Sequence, residues 1–110
     1  MTDADRAAEK IRALCPFTNF LITLGSSGSV CYTPDGHIFR QQAYTVKAVD
    51  TTAAGDTFTG YFIASLCRGD DIPLCLRRAA AASSVAITRL GAAPSVPYSA
   101  ETDEFLEKLL

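Results

Sequence analysis

The sequence predicts a layered α/β or α+β domain in which a central β-sheet is covered by helices. Two observations favour this architecture. Strand-like apolar runs and helically spaced apolar residues follow one another in the order α-β-β-β-β-α-α-α, and no internal repeat or low-complexity linker interrupts them. The 110 residues suffice for one small domain, and 48% hydrophobic with 20% charged residues is typical of a globular chain.

The N-terminal segment predicts an amphipathic helix over residues 2–14. Thr2 is a candidate N-cap, and acidic residues follow it in the first turn. The apolar residues that share one stripe are Ala7, Ala8, Ile11 and Leu14.

The next segments predict the strands of the sheet. The run NFLITL, residues 19–24, is almost wholly apolar, which is typical of a strand buried on both faces. Residues 30–33 and 37–41 predict a hairpin around the tight turn at residues 34–36. Residues 44–49, YTVKAV, predict a fourth strand.

The second half of the chain predicts three helices. The first covers residues 56–69 and stops at Gly69, and a long helix follows over residues 72–90, with Pro73 in its first turn and Gly91 at its end. A closing helix is predicted over residues 101–110. The residues predicted to face inward from the first helix are Phe58, Phe62, Ile63 and Leu66, and those predicted on a solvated face of the second are Arg77 and Arg78.

Composition argues against several classes of function. A net charge of -2 offers no basic patch, so nucleic acid is not an expected partner. No apolar run is long enough to span a bilayer, and the polar N-terminus is unlike a signal peptide. The four cysteines form no C-x-x-C pair and His37 is the only histidine, so we expect no zinc site and reduced cysteines in a cytoplasmic protein.

The stretch VDTTAAGDTFTGYF, residues 49–62, is the strongest candidate for a site. Asp50 and Asp56 frame five small uncharged residues between a predicted strand and a predicted helix. The first N–H groups of a helix lack intrahelical partners and carry the positive end of its dipole, and small side chains let an anion approach them. Asp56 can accept a proton from a hydroxyl nucleophile. On composition alone, the alternative that Asp56 caps the helix and the alanines only pack is equally open.

Three motifs resemble the ribokinase-like, or PfkB, carbohydrate kinases. DTTAAGDTFTGYF is similar to the family's second signature, in which Asp-Thr-Thr is followed by Gly/Ala-Ala-Gly-Asp and then Thr/Ser-Phe. ITLGSSGSV, residues 22–30, resembles the T-L-G-x-x-G-V segment, and ITRLGAAPSVP, residues 87–97, resembles the T-R-x-G-A-x-x-S-x-P stretch of ribokinases. The resemblance covers nearly the whole chain and is to the C-terminal portion of the family's fold, nearest to the ribokinases.

This resemblance implies ATP-dependent phosphorylation of a sugar hydroxyl, with Mg²⁺ as a further cofactor. Asp56 corresponds to the catalytic base, and the backbone amides of Ala53, Ala54, Gly55 and Asp56 correspond to an anion hole. The loop that borders the nucleotide corresponds to Gly25, Ser26, Ser27, Gly28 and Ser29. From the residues alone, a plain hairpin-like turn is the simpler interpretation of that loop.

The resemblance also implies a site for a monovalent cation, K⁺, beside the anion hole. The corresponding positions, most of them acting through backbone carbonyls, are Asp50, Thr52, Ala86, Arg89, Gly91 and Ser95. Oxygen ligands are chemically suited to a hard cation. Helix packing at Ala86 and a helix C-cap at Gly91 are the alternatives, and the sequence alone favours them.

The resemblance further predicts that residues 1–110 form a single domain, the nucleotide-side part of such a kinase. No segment matches the family's sugar-binding part, its lid or its Asn-x-x-Glu motif. We therefore expect ATP and a sugar as substrates, and a homo-oligomer or association with a missing N-terminal half through an unpaired sheet edge. The alternative is a non-catalytic module that binds nucleotide or associates with a partner.

Overall fold

Helices and one small sheet make up the part of the chain that the structure, a computed structural model, describes: residues 2–89 and 99–109. The elements in chain order are α1 (Asp3–Leu14), β1 (Phe20–Thr23), β2 (Ser29–Tyr32), β3 (Ile38–Gln41), α2 (Ala54–Cys67), α3 (Ile72–Ile87) and α4 (Ser99–Leu109). A 3₁₀ turn over Gly25–Ser27 joins β1 to β2. The predicted α/β architecture of a sheet covered by helices is confirmed.

The sheet is antiparallel, in the order β1-β2-β3. All four residues of the central strand β2 are buried. β1 is only half-buried, and its last residue, Thr23, is exposed, so the prediction of a strand buried on both faces is wrong. The reason is its position, because β1 pairs with β2 alone among the described strands.

Residues 44–49 do not form the predicted fourth strand. The backbone N–H groups of Val49 and Asp50 instead donate to the carbonyl oxygen of Ile87, at 2.6 and 3.1 Å. Tyr44 packs edge-to-face on Phe105 of α4, with ring centroids 5.7 Å apart. β-propensity produces a strand only where a neighbouring strand can pair, and in the described part of the chain none pairs with this segment.

The first helix begins with a reciprocal cap, as its sequence predicts. The Thr2 hydroxyl accepts from the Asp5 N–H and the Asp5 carboxylate accepts from the Thr2 N–H, both at 3.1 Å. Only Ala8 of the apolar stripe is buried, whereas Ile11 and Leu14 are exposed. α1 therefore rests on the sheet through a narrow contact that includes Val30 and Tyr32.

The main core lies where α2 and α3 pack on the sheet. Its buried members are Cys31, Phe58, Phe62, Cys75, Leu76, Ala79 and Ala80. Ile63 and Leu66 of α2 are 53% and 43% exposed, so their predicted inward orientation is wrong. Apolar residues lie on more than one side of α2, and its sequence therefore does not specify which side meets the core.

α3 begins as predicted and ends earlier than predicted. The Asp71 carboxylate accepts from the Leu74 N–H at 2.9 Å, and Pro73 lies in the first turn. The helix ends at Ile87 and is capped by Thr88. The predicted end at Gly91 lies outside the described residues.

Arg78 is buried, so the prediction of a solvated face is wrong at this position. Its Nε donates to Ser65 Oγ at 3.2 Å, its Nη2 donates to Ser99 Oγ at 2.9 Å, and its Nη1 forms an ion pair with Asp103. Arg78 thus ties α2 and α4 to α3. Arg77 is exposed, as predicted.

No helix within residues 2–89 and 99–109 combines the length and apolar character that crossing a bilayer requires.

Candidate functional site

The N-terminus of α2 presents unpaired backbone donors. Ala53 is the N-cap and has no side chain that could accept a hydrogen bond. The Ala54 N–H donates to the Thr51 carbonyl at 3.2 Å and the Thr57 N–H donates to the Ala53 carbonyl at 2.9 Å. The N–H groups of Gly55 and Asp56, between them, have no acceptor among the residues that the structure describes. Two amides are therefore available at the positive end of the helix.

Access to these amides is open. Gly55 is exposed, and a Cβ added to it would meet no atom within 4 Å. The start of the helix is nonetheless held in place, because Ala53 is buried and Ser83 Oγ of α3 donates to the Ala54 carbonyl at 3.2 Å. A fixed pair of donors with free space in front is the arrangement that an anion requires.

Asp56 is exposed beside these amides. Its carboxylate makes no hydrogen bond or ion pair with any residue in the described ranges, so the alternative that it caps the helix finds no support. It opens a groove of ≈ 420 Å³ that follows α2 past Gly60 and Ala64 to Arg68, with Arg78 among its lining residues. An unpaired carboxylate in a groove can accept a proton from a hydroxyl group bound there.

Four of the six residues predicted for the cation lie close together. Asp50 Oδ1 accepts from the N–H of Thr52 at 2.9 Å and from its hydroxyl. The Asp50 N–H donates to the Ile87 carbonyl, which brings this pair to the C-terminal end of α3, where Ala86 and Arg89 lie. Gly91 and Ser95 lie outside the described residues. Carboxylate, hydroxyl and carbonyl oxygens at the negative end of a helix fit a hard monovalent cation.

The Arg89 side chain turns away from this end of α3. Its guanidinium pairs with Glu101 of α4, through an ion pair from Nη2 and a 3.5 Å contact from Nη1 to Oε1. The Arg89 N–H donates to the Ala86 carbonyl at 3.1 Å, which closes the last turn of the helix. Ala86 itself is buried, so helix packing accounts for that residue type.

A carboxylate cage for Mg²⁺ is not found within residues 2–89 and 99–109. No three side chains of His, Cys, Asp or Glu in these ranges lie close enough to share a metal ion. Mg²⁺ commonly keeps several waters and binds through substrate phosphates with one or two carboxylates.

The loop from Gly25 to Ser29 is the turn of the β1–β2 hairpin. The Leu24 N–H donates to the Gly28 carbonyl at 2.8 Å and the Gly28 N–H donates to the Gly25 carbonyl at 3.1 Å. Gly28 has φ 94°, and a Cβ there would lie 2.2 Å from the Gln41 carbonyl oxygen. The hairpin interpretation thus explains this glycine. Ser26 and Ser27 are exposed and could contact a ligand. Ser29 is buried, and its hydroxyl has no hydrogen-bond partner among the described residues.

Sequence reasoning missed three residues that shape this region: Arg78, Ser83 and Glu101. Arg78 had a signal, because it lies three residues after Cys75 and four before Ala82 and so shares their buried face. Ser83 and Glu101 act through contacts with residues distant in sequence, to Ala54 and Arg89, and local spacing carries no signal for these.

The fold of this chain is similar to part of several solved kinase structures. Solved structures with the same arrangement include an Arabidopsis thaliana ribokinase complexed with ribose and ATP, with TM-score 0.87 and 34% identity over 94% of this chain and 33% of that one. A second is a putative ribokinase II from E. coli in complex with ATP and Mg²⁺, with TM-score 0.85 and 26% identity over 98% of this chain and 34% of that one. The class of fold is thus that of the ribokinases.

The sequence comparisons identify the family. The pattern of the pfkB family carbohydrate kinases matches residues 1–98, and this chain belongs to that family. The ribokinase of Schizosaccharomyces pombe is 39% identical over 94% of this chain and 32% of its own length. The 5-dehydro-2-deoxygluconokinase of Bacillus subtilis is 32% identical over 79% of this chain and 27% of its own length. The chain therefore spans 32% and 27% of the lengths of these two relatives.

Proposed function

We propose that this chain is the nucleotide-side, C-terminal part of an ATP-dependent kinase that phosphorylates a sugar hydroxyl. One observation carries the proposal: the open amides of Gly55 and Asp56 lie beside the unpaired Asp56 carboxylate at the start of α2. The family membership and the relatives' names, ribokinase and 5-dehydro-2-deoxygluconokinase, support the sugar as acceptor. Residues 1–110 act as a single domain in this proposal, and a separate region supplies the contacts to the sugar.

In the proposed reaction, the Asp56 carboxylate takes the proton from the acceptor hydroxyl. The hydroxyl oxygen forms a bond to the γ-phosphorus of ATP, the bond from that phosphorus to the bridging oxygen breaks, and ADP leaves. The anion hole in this proposal consists of the N–H groups of Gly55 and Asp56, which follow Ala53 and Ala54 at the start of α2. The Ala54 N–H, predicted as a further donor, is already taken up by the Thr51 carbonyl. The two open N–H groups meet the negative charge that develops on the transferred group, without any rearrangement of the helix.

The nucleotide and its ions have assigned positions in this proposal. The loop from Gly25 to Ser29 would border ATP, whose phosphates would reach Gly55, and Mg²⁺ bound with those phosphates would supply positive charge. The residues that would hold K⁺ are Asp50, Thr52, Ala86 and Arg89, with Gly91 and Ser95 as further ligands. The clustering of the first four residues at the end of α3 supports the cation site. A cation there balances negative charge near the anion hole.

Titration calorimetry with ATP tests this proposal. We expect weak ATP binding that K⁺ strengthens. Gly55→Val should weaken binding about tenfold or more, because a branched side chain would stand in front of the two amides. Gly60→Val is the matched control for ATP binding, since Gly60 lies in the same helix with equally open space but borders the groove that would take the acceptor and not the two amides. Absence of heat at millimolar ATP from a folded chain, or equal effects of both variants, would contradict the proposal.

A non-catalytic association module is the second candidate, and exposed apolar surface favours it. Ile63 and Leu66 are exposed on α2, and Phe17 is 91% exposed in the segment before the edge strand β1. An unpaired strand edge and apolar side chains favour pairing with another chain. We propose a homo-oligomer or association with a sugar-binding half. Sedimentation that shows a stable monomer at tens of micromolar would contradict self-association.

The proposal places this kinase in the cytoplasm. All four cysteines are free, with Cys15 and Cys67 exposed to solvent. Exposed thiols persist in a reducing compartment. Fractionation of the expressing cells tests this placement, and recovery of the protein from an oxidising compartment would contradict it.

A further inference from the structure

Glu101 of α4 lies against the one positively charged side chain of the proposed cation site. We propose that Glu101 is a positioning residue that holds the Arg89 guanidinium away from Asp50, so that a monovalent cation can bind there. The inference rests on the proposed function, which places K⁺ between Asp50 and the end of α3. It adds a residue of α4 to a site otherwise built from α3 and the segment before α2.

The contact between Arg89 and Glu101 involves both oxygens of the carboxylate. Arg89 Nη2 forms an ion pair with Oε2, and Nη1 lies 3.5 Å from Oε1. The side chains are 34% and 36% exposed, so water screens the pair less than a fully exposed one. The two-pronged geometry fixes the direction of the guanidinium plane.

The backbone of Arg89 lies close in the fold to that of a second acidic residue, Asp50. Arg89 follows Ile87 by two residues, and the Ile87 carbonyl binds the Asp50 N–H at 3.1 Å. An arginine side chain is long, and its planar fork matches a carboxylate. Pairing with Asp50 would place a fixed positive charge at the proposed cation position, and like charges repel. Glu101 prevents this competition and leaves the Arg89 backbone carbonyl as the group offered to the cation.

A purely structural role for Glu101 is separable from this one. α4 is also attached to α3 through Arg78, which pairs with Asp103 and donates to Ser99. α4 therefore remains anchored when the charge of Glu101 is removed. The Glu101→Gln substitution keeps the shape of the side chain and removes only its charge.

The test uses the full 110-residue chain and measures the thermal unfolding midpoint against KCl, with choline chloride at equal ionic strength as the reference. We expect Glu101→Gln to raise the K⁺ concentration needed for half-maximal stabilisation about tenfold, which corresponds to about 1.4 kcal/mol. Glu104→Gln is the matched control, because Glu104 lies on the same helix in an exposed pair with Lys108. The Arg89→Met/Glu101→Gln double variant should regain the K⁺ response that Glu101→Gln loses, because it removes the competing charge and keeps the backbone carbonyl at position 89.

Each outcome decides the inference. An unchanged K⁺ response in Glu101→Gln overturns it, and so does a double variant as impaired as Glu101→Gln. If K⁺ does not stabilise the wild-type chain more than choline does, both the proposed cation site and the role of Glu101 are wrong. If K⁺ stabilises the wild type but Glu101→Gln responds equally, only the role of Glu101 is wrong. If Glu101→Gln does not fold, the double variant provides the test. A K⁺ response of the double variant equal to that of the wild type supports the inference, and a lost response overturns it.

Discussion

Replacing Gly28 by alanine should destabilise the fold far more than replacing Gly36. Both glycines have positive φ, 94° and 90°. Alanine in such a sparsely populated backbone region costs about 1–3 kcal/mol, and both variants should show this loss. The two positions differ in their surroundings, since a Cβ at Gly36 would meet nothing within 4 Å.

The extra cost at Gly28 comes from the backbone at the end of β3. A new Cβ would lie 2.2 Å from the Gln41 carbonyl oxygen, whereas ordinary contacts begin at 3.4 Å. A backbone carbonyl cannot rotate away as a side chain can, so the β1–β2 turn and the end of β3 must separate. Overpacking of this kind costs about 1–3 kcal/mol. With about 4–8 °C in Tm per kcal/mol for a domain of this size class, Gly28→Ala should melt roughly 10 °C below Gly36→Ala.

Urea unfolding followed by circular dichroism, together with calorimetric Tm values, measures this difference. Equal losses in the two variants would refute the reasoning and would mean that the hairpin does not require Gly28. A nucleotide-binding role alone would not distinguish the two glycines in the absence of ATP. The comparison therefore tests the structural part of the loop separately from its proposed contact with nucleotide.

Two further predictions concern the core and its pH dependence. Leu76→Ala should lower the free energy of unfolding, measured with urea, by about 2–5 kcal/mol, because Leu76 is 1% exposed. Leu66→Ala should lower it by under about 1 kcal/mol, because Leu66 is 43% exposed. Equal losses in the two variants would contradict the described packing. Burial, followed by the 2.7 Å hydrogen bond that the Tyr32 hydroxyl donates to Asp5, raises the pKa of Tyr32 to about 12 from 10.0. Because the folded pKa lies above the unfolded one, this stabilisation is complete below about pH 10 and is lost as the pH rises through 12. Tyr32→Phe should therefore flatten the alkaline fall of the urea midpoint, and an identical fall in both proteins would contradict it.

The sequence predicted those parts of the fold that local signals determine. Thr2 and Asp71 cap helices where their residue types predict caps, and the turn at residues 34–36 joins the two strands that alternation predicts. The start of α2 followed from small residues beside Asp56. In each case the deciding contact lies within a few residues along the chain.

The parts that were not predictable depend on distant residues. Residues 44–49 have strand-forming side chains but no described strand pairs with them, and this is a property of the whole sheet. The charge of Arg78 suggested solvent, and its burial depends on Ser65, Ser99 and Asp103 from two other helices. Within the site, the position of Asp56 was accessible from sequence, whereas the pairing of Arg89 with Glu101 required the packing of α4 on α3.

The role of Asp56 is tested most directly in a chimera in which this chain replaces the matching third of the Schizosaccharomyces pombe ribokinase. Ribose phosphorylation and ATP affinity are measured for the chimera, for its Asp56→Asn variant and for the control Asp3→Asn, which removes an exposed carboxylate of α1. If Asp56 takes the proton of the acceptor hydroxyl, Asp56→Asn should lower turnover at least about 100-fold and change ATP affinity less than about twofold. Asp3→Asn should change neither turnover nor ATP affinity. Turnover that survives Asp56→Asn, a loss of ATP affinity as large as the loss of turnover, or an inactive parent chimera that still binds ATP would contradict the account.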